Sequence, residues 1–599
     1  MCGITGYVGD GDALELVAST LANLEYRGYD SAGVALGNGE LSISKAAGRI
    51  GDLQLPAVEG ATCGIGHTRW STHGPPTDAN AHPHTDCTGE IAVVHNGIIE
   101  NHAALKAELE GEHTFTSETD TEVVPHLIED EWDGGDLLEA VSAVVERLSG
   151  SYAIAVTVAG RDEIVAARQD SPLVVGHGDG ETFLASDVPA FVEHSRDVTF
   201  LEDGDVARIT ADGVEIYHAG QPVDRAPQQV EWEAEAAEKG GYEHFMLKEI
   251  HEQPRALRQA LTGRVDALSG DVDLDVDLPA EYLQSLDEIQ IVAAGTSYHA
   301  GLYAKELFER LADVRVTTHV ASEYEVQGGR DPWQTLVVAI TQSGETADTL
   351  DALRKASATG ARTLAVTNTV GSTVTREADE TVYIHAGPEI GVAATKTFVS
   401  QVATVTMLAV ALGRHRGVLG REAAGEVLSS LRDLPGAIQQ VLDRESEIEA
   451  IAEEYADRSA FFFLGRQFGY PVALEGALKL KEISYDHAEG FAAGELKHGP
   501  LALVTDDVLV LSVLTEGAKP EATLHNVAEV DTRGAATVGF GEVDGDQSVL
   551  DEAFPVPEAG LLEPVVANVY MQLFAYHVAR LKGRAIDKPR NLAKSVTVQ

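Results

Sequence analysis

The stretch Thr335-Leu-Val-Val-Ala-Ile340-Thr341-Gln342-Ser343-Gly344-Glu345-Thr346 opens the reading of the larger half of the chain. Its apolar run is too short for a helix and ends in a hydroxyl-rich turn. Residues 347–356 then follow with helical spacing. Strand, turn and helix in that order form one unit of a parallel sheet, and similar units lie on both sides. Apolar runs at 289–294, 362–366 and 381–384, separated by helix-length segments, predict a doubly wound α/β sheet. After a helical region the pattern returns with runs at 460–464, 508–513 and 535–538. Gly295-Thr296-Ser297 and Gly465-Arg466-Gln467 open the two blocks in parallel fashion, which points to an internal duplication. We place the blocks at 278–415 and 450–588, followed by a tail at 589–599.

The N-terminal part reads differently. Short β-type runs at 91–94, 152–158, 163–167 and 206–209 are broken by Gly, Asp and Asn turns, with helical stretches at 12–24 and 136–148. This predicts a layered α+β domain over 2–225, joined to the rest by a polar, acidic linker at 226–245. A chain of 599 residues is too long for one core, so a modular protein is expected. The best membrane candidate, 397–413, is interrupted by Ser400, Gln401, Thr404 and Thr406 and is short for a bilayer span, so a soluble protein is expected. Met1-Cys2-Gly3-Ile4 lacks the features of a signal peptide, and three cysteines form no disulfide framework. A reducing cytoplasm fits. The net charge of -53 excludes nucleic acid as a partner. The acids are scattered rather than gathered in a tail, which suits a salt-rich cytoplasm where charge is screened over only about 3 Å at 1 M.

The turn 341–346 reads as a phosphate cradle: a helix N-terminus offers unpaired N–H donors, and Thr341, Ser343 and Thr346 add hydroxyls. An ordinary N-cap would look the same. The convergence with Gly295-Thr296-Ser297 at the ends of neighbouring parallel strands favours the ligand site. The Gly-Lys-Ser/Thr ending of a nucleotide loop is missing, so a monophosphorylated small molecule is expected. On a helix over 471–484, Glu475, Lys479 and Glu482 share one narrow face. A solvated ion pair is the plain reading. The apolar neighbours Val472, Leu474, Leu478, Leu480 and Ile483 favour a buried, charged, chemically active face instead.

At the other end, removal of Met1 would leave Cys2 with a free α-amine beside its thiol, a nucleophile and a base of pKa about 7.7–8.0 in one residue. Cys63 and Cys87 read as buried small hydrophobes. Gly64-Ile-Gly-His67-Thr-Arg69-Trp70-Ser-Thr72-His73-Gly74, His95-Asn96-Gly97-Ile-Ile-Glu100-Asn101 and Ser117-Glu-Thr-Asp120-Thr121-Glu122, with Cys2, resemble the class II glutamine amidotransferases. The resemblance implies an N-terminal-nucleophile glutaminase of four αββα layers. Cys2 would attack the glutamine side-chain amide while Asn96 and the Gly97 N–H form the oxyanion hole. Arg69 would grip the substrate α-carboxylate and Asp120 its α-ammonium, with Thr72 and His73 lining the pocket. Trp70 would gate a passage for ammonia; a core Trp is the plainer reading. His67, His73, His82, His84 and Cys87 also suggest zinc, but their spacing matches no closed tetrahedral pattern, so hydrogen-bonded histidines and no metal are expected.

Ala473-Leu-Glu475-Gly-Ala-Leu-Lys479-Leu-Lys481-Glu482, Gly494-Glu495-Leu-Lys497-His498-Gly499-Pro500 and Pro589-Arg-Asn-Leu-Ala593-Lys594-Ser-Val-Thr are similar to the glutamine–fructose-6-phosphate aminotransferase (isomerizing) family, essentially end to end. The resemblance implies two sugar isomerase (SIS) domains, no metal or organic cofactor, a homodimer, and the first step of hexosamine and UDP-N-acetylglucosamine synthesis. Glu482 would move a proton between C1 and C2, Lys594 form a Schiff base with the open-chain ketose, and His498, reaching from a neighbouring subunit, open the ring. Ser297, Gln342, Ser343, Thr346 and Val392 match the sugar-phosphate pocket, beside which Thr341 and Lys479 also stand. Ala394 departs from the pattern, where a serine is expected. Two rivals remain: a class II amidotransferase with another phosphosugar acceptor, such as phosphoribosyl pyrophosphate, and a non-catalytic SIS-based sugar-phosphate sensor.

Overall fold

On the strand Ile91–Ile99, Ile91 and Val93 pack into a helical layer while Ala92 and Val94 pack into a second sheet, the period-two alternation that builds a layered fold. The computed structural model describes residues 2–597 apart from 26, 29, 59, 70–73, 231–238, 240, 275, 327–329 and 544–546. These residues form two units, 1–238 with 593–599, and 239–592.

In the first unit, a seven-stranded antiparallel sheet runs in the order Gln221–Val223, Gly213–His218, Asp205–Thr210, Ile164–Gln169, Gly150–Val158, Ile91–Ile99, His84–Thr85. It faces an eight-stranded antiparallel sheet whose centre is the strand Gly3–Gly9, hydrogen-bonded to Glu181–Ala185 on one side and Cys63–Arg69 on the other. The facing residues are small or branched: Ile4, Val8, Cys63 and Ile65 from one sheet, Ala92, Ala153, Ala155 and Ala166 from the other. The helices His102–Leu109, Val123–Glu131 and Leu137–Val145 cover the outer face of the seven-stranded sheet. The helix Ala13–Asn23 covers the other, burying Val17 and Leu21. Gly66 admits that helix, since a Cβ there would stand 2.9 Å from Val17 and 3.2 Å from Leu21. The result is four layers, αββα.

The second unit carries two five-stranded parallel sheets. The first runs Arg315–Val320, Glu288–Ala293, Thr335–Ile340, Arg362–Thr367, Glu380–Tyr383; the second runs His487–Ala492, Ala460–Gly465, Val508–Val513, Ala536–Phe540, Glu552–Phe554. Both have the strand order 2-1-3-4-5, so the duplication is one of topology. The inner strands have two apolar faces, as burial on both sides requires, whereas the edge strands Arg315–Val320 and His487–Ala492 are only partly buried. Ile289, Ile291, Phe461 and Phe463 face one shared core, whereas Val292 and Phe462 face separate outer layers. The apolar helix Lys396–His415 is long and apolar enough to cross a membrane by composition, and it is almost wholly buried in the shared core.

Gly465 ends the first strand of the second sheet where a Cβ would overlap the Gly469 carbonyl that opens the following helix. Gly436, exposed inside the helix Arg421–Leu442, has open space around it. Thermal melting should therefore separate two identical changes in opposite directions. Gly465→Ala should destabilise by about 1–3 kcal/mol through overpacking, while Gly436→Ala should stabilise by about 0.5–1 kcal/mol through helix propensity.

Candidate functional sites

Cys2 stands at the start of the central strand Gly3–Gly9, partly exposed. The register that pairs Gly3 with Thr68 brings the end of the neighbouring strand, and so Arg69, alongside it. Arg27 fixes the Cys2 backbone, donating from Nε to the Cys2 carbonyl at 3.1 Å while paired with Asp187 at 3.2 Å. From the opposite sheet, Asn96 Nδ2 donates to the Cys2 carbonyl at 3.1 Å and to Ser186 Oγ at 2.8 Å. Gly97 follows with φ 124°, and a Cβ there would overlap the Ser151 carbonyl, so only glycine fits. Burial lowers the Arg69 guanidinium from its usual value, against the nearby negative charge of Cys2, Asp120 and Asp30. Asp120 is buried and accepts the Ile99 N–H at 2.8 Å. Cys2, Arg69, Asn96, Gly97 and Asp120 thus gather where the ends of the two facing sheets meet. Trp70, Thr72 and His73 lie outside the described residues.

Behind them is a layer of buried histidines. His67 Nε2 contacts two acceptors, the His95 carbonyl at 2.9 Å and Asn96 Oδ1 at 3.1 Å, so it carries the ring proton. His67 stacks on His82 at 4.2 Å, and His82 meets His84 edge-on at 4.7 Å. His84 and His95 contact Thr119 and Thr121 at 3.0 and 2.8 Å. Burial first, and then neighbouring cations, lower the His67 pKa to about 3 and push His82 and His84 well below the ordinary range; burial also lowers His95. These rings are neutral, and they orient the Asn96 amide and the Asp120–Thr121 segment. Cys63 is buried as expected, its thiol 3.6 Å from Thr157 Oγ1. Cys87 is not: it sits exposed in the turn between the strands His84–Thr85 and Ile91–Ile99, where a short edge strand leaves it uncovered.

In the second unit, the turns that follow the first and third strands of the first sheet converge at the point where strand order reverses. Ser297 is buried and accepts from Gln401 Nε2 at 2.9 Å. Thr341 Oγ1 accepts the Gly344 N–H at 3.2 Å, and Ser343 Oγ the Glu345 N–H at 3.2 Å, shaping the loop. Gln342 is half-buried, its carbonyl fixed by the Asn368 N–H at 3.1 Å. Thr346 is the N-cap of the helix Ala347–Ser357, yet its side chain makes no capping bond. The ordinary cap considered from sequence is therefore not formed. Val392 is buried, its N–H bonded to the Asp587 carbonyl at 3.0 Å, and Ala394 is half-buried.

The charged face of the helix Gly469–Ser484 enters the same region. Lys479 Nζ is wholly buried, 2.7 Å from Glu482, 3.4 Å from Glu475, and donates to Thr296 Oγ1 at 3.1 Å. Glu475, equally buried, accepts from Thr296 Oγ1 at 3.0 Å and meets His299 Nδ1 at 2.8 Å. Burial lowers the Lys479 pKa, but Glu475 and Glu482 overcome it and hold it at about 12; burial raises Glu475, and Lys479 with His299 bring it below the usual range. Glu482 remains partly exposed, with 18% of its side chain accessible. His498 is exposed, ending the 3-10 helix Ala493–His498. Lys594 is half-buried and precedes the buried Ser595, in the segment that belongs to the first unit. Sequence reasoning passed over Arg27, Ser186, Gln401 and His299. None belongs to a motif, and only the fold brings them to the residues they position.

Comparison with known proteins agrees with this arrangement. The SIS domain family model matches residues 282–411 and 454–581, and a glutamine amidotransferase domain model matches 67–193. The chain is 63% identical to a glutamine–fructose-6-phosphate aminotransferase (isomerizing) of Halobacterium salinarum and 52% identical to one of Symbiobacterium thermophilum, over 100% of both chains in each case. Among solved structures, the C-terminal domain of glucosamine-fructose-6-phosphate aminotransferase from Francisella tularensis is 37% identical, with a TM-score of 0.55, over 59% of this chain and 99% of that one.

Two expectations follow from the electrostatics. Because the unfolded His67 titrates near pH 6.5 and the folded one near 3, the unfolded chain binds more protons in between. The stability that neutral His67 confers is complete above pH 6.5 and falls by up to about 1.4 kcal/mol per pH unit below it. Denaturant melts of the wild type from pH 8 to 5 should show this slope, and His67→Gln should flatten it. Lys479→Met should leave Glu475 and Glu482 uncompensated and destabilise the chain by about 3–5 kcal/mol in the same assay.

Proposed function

The chain belongs to the glutamine–fructose-6-phosphate aminotransferase (isomerizing) family, and from that premise we propose how its residues divide the work. The enzyme transfers the amide nitrogen of glutamine to fructose 6-phosphate and isomerises the product, giving glucosamine 6-phosphate and glutamate. The observation that carries the division is the Asn96 amide 3.1 Å from the backbone of Cys2, with Gly97 beside it in a conformation closed to other residues.

With Met1 removed, the Cys2 amine takes the thiol proton and the thiolate attacks the glutamine amide carbon. Asn96 Nδ2, released from the Cys2 carbonyl, and the Gly97 N–H hold the oxyanion; losing one such donor costs about 100- to 1000-fold in rate. Ammonia leaves, and water cleaves the thioester to glutamate. Arg69 and Asp120 hold the substrate's α-carboxylate and α-ammonium, with Thr72 and His73 completing the pocket and Trp70 guarding the exit of ammonia. On the sugar side, Ser297, Thr341, Gln342, Ser343, Thr346 and Val392 surround the phosphorylated substrate. The helix N-terminus after Thr346, whose cap is unfilled, offers donors to the phosphate. Lys594 condenses with the C2 carbonyl, losing water, and ammonia displaces it. Glu482 then removes a proton from C1 and returns it to C2, with Lys479 fixing its carboxylate. His498, exposed as a residue serving a neighbouring subunit would be, opens the sugar ring.

We place the enzyme in a salt-rich cytoplasm, which the net charge of -53 supports, and, on the family likeness alone, as a homodimer. The sensor alternative has no use for a nucleophile at position 2. In roughly molar KCl, with glutamine and fructose 6-phosphate, glutamate and glucosamine 6-phosphate should form in equal amounts; glutamate without amino sugar would overturn the choice of acceptor. Deleting residues 594–599 should abolish amino-sugar formation while glutamine hydrolysis survives, as followed by the same two product assays.

A further inference from the structure

Cys87, His113, His126 and Glu129 come from three separate pieces of the first unit, yet one ligand atom from each lies within 4.8 Å of all the others. Cys87 is in the turn after the strand His84–Thr85, His113 follows the helix His102–Leu109, and His126 and Glu129 share the helix Val123–Glu131. The thiol Sγ is 3.6 Å from His113 Nδ1 and 3.7 Å from His126 Nδ1. Glu129 Oε2 is 3.1 Å from His113 Nδ1 and 3.4 Å from His126 Nδ1. Tetrahedral zinc, with Zn–S of about 2.3 Å and Zn–N or Zn–O of about 2.0–2.1 Å, separates sulfur from nitrogen by about 3.5 Å and nitrogen from oxygen by about 3.3 Å. Four of the six edges match such a tetrahedron, and the remaining two, nitrogen to nitrogen and sulfur to oxygen, are no longer than 4.8 Å. The histidines are well anchored, with 6% and 1% of their side chains accessible.

The supporting groups point the same way. His113 Nε2 is 3.0 Å from Asp130 Oδ1, so that the carboxylate can take an outward N–H while Nδ1 faces the centre. Carboxylates behind metal-bound histidines fix the ring and its tautomer in this manner. The Cys87 N–H holds the inward Glu129 oxygen at 3.0 Å, and Phe115 packs edge-on against His126 at 4.8 Å. A protonated His113 bridging Glu129 and Asp130 would account for the two carboxylates. It would not by itself account for a thiol standing 3.6 and 3.7 Å from two ring nitrogens, the spacing of two ligands on one ion.

We propose that Cys87 Sγ, His113 Nδ1, His126 Nδ1 and a Glu129 oxygen form a closed tetrahedral site for one Zn2+ that staples the helix Val123–Glu131 to the turn at Cys87. On binding, the Cys87 thiol gives its proton to solvent. Thiolate and carboxylate then balance the charge of the ion, and two neutral imidazoles complete the shell. The four ligands leave no open position, so the ion is structural. The sequence reading grouped Cys87 with His82 and His84; the fold turns those rings toward His67 and gives the thiol other partners. The staple closes the loop 113–126, which carries Asp120. The consequence for glutamine binding rests on the role proposed for Asp120, whereas metal binding does not.

The test uses the full chain, purified in molar KCl so that loosely held ions on acidic surfaces are shed. After equilibration with Zn2+ and gel filtration, elemental analysis should find about one Zn2+ per chain, and the melting temperature should drop by several degrees on its removal by a chelator. Replacement by Co2+ should give a thiolate-to-cobalt charge-transfer band that Cys87→Ser abolishes and Cys2→Ser leaves intact. Glu129→Gln, which keeps the shape and the acceptor for the Cys87 N–H, should retain the fold and weaken binding at least tenfold. Asp130→Asn should weaken it about 10- to 100-fold. Under a tenth of an equivalent of Zn2+ in the wild type, or a charge-transfer band that persists without the Cys87 thiol, would overturn the proposal. Should Cys87→Ser fail to fold, unchanged Zn2+ affinity in Glu129→Gln would overturn it equally.

Discussion

A buried ammonium cannot exist without its counter-charges, and Lys479 is wholly buried. Its requirement fixes much of the second unit. Glu475 and Glu482 must lie one turn away on either side, which demands an unbroken helix over Gly469–Ser484. Thr296 and His299 must reach across from the first block, which demands that the helix Gly295–Ala312 pack on that helix. The same two helices follow the first strands of the two sheets, so the ion cluster sits where parallel sheets carry their ligands. An apolar residue of similar volume would pack there at less electrostatic cost. Retention of three charged side chains makes sense because one of them, Glu482, is left at the edge of solvent with its carboxylate held 2.7 Å from Lys479 Nζ.

The first unit solves the reverse problem. The nucleophile proposed for it, Cys2, stands beside a chain end, where order is ordinarily lost. Here the end is the central strand of a sheet, paired on both sides, and Arg27 and Asn96 both hold the Cys2 carbonyl. The supporting histidines are kept uncharged by burial, so they serve as a rigid hydrogen-bonding layer rather than as acids or bases. That leaves the proposed base to be the α-amine of Cys2 itself, which needs no partner brought from elsewhere.

Much of this was legible beforehand because the signals were local. Apolar runs with hydroxyl-rich turns gave the parallel strands, and the spacing of Glu475, Lys479 and Glu482 gave one helical face with burial implied by its neighbours. The eight-stranded sheet was less legible: Ser31–Asn38 and Glu40–Ala47 are rich in Gly, Ser and Ala, so their alternation carries little hydrophobic contrast. Arg27, Ser186 and His299 act only through tertiary neighbours far away in sequence, which no single-chain pattern records. Cys87 was misjudged for a physical reason as well. Thiols are usually buried, but this one lies on a turn beyond a two-residue edge strand that cannot cover it.

Duplication explains why the two blocks share a strand order but not a chemistry. In the first, the turn after the third strand is Thr341-Gln342-Ser343-Gly344, and Gly344, at φ 71°, lets the loop curl under Ser372. In the second, the corresponding turn runs Leu514-Thr515-Glu516-Gly517-Ala518-Lys519, and Arg466-Gln467 stands where the first block has Thr296-Ser297. Glu516 stands among the turn residues and the longer Arg466 and Gln467 take the place of Thr296 and Ser297, so the cluster of small hydroxyls in the first block is not repeated in the second. Freed from binding, the first helix of the second block can turn its charged face toward its sister. A single SIS domain would have to place the proposed cradle and base on one set of strand ends; two copies fused around one core let each set specialise, and the buried Lys479 cluster joins them.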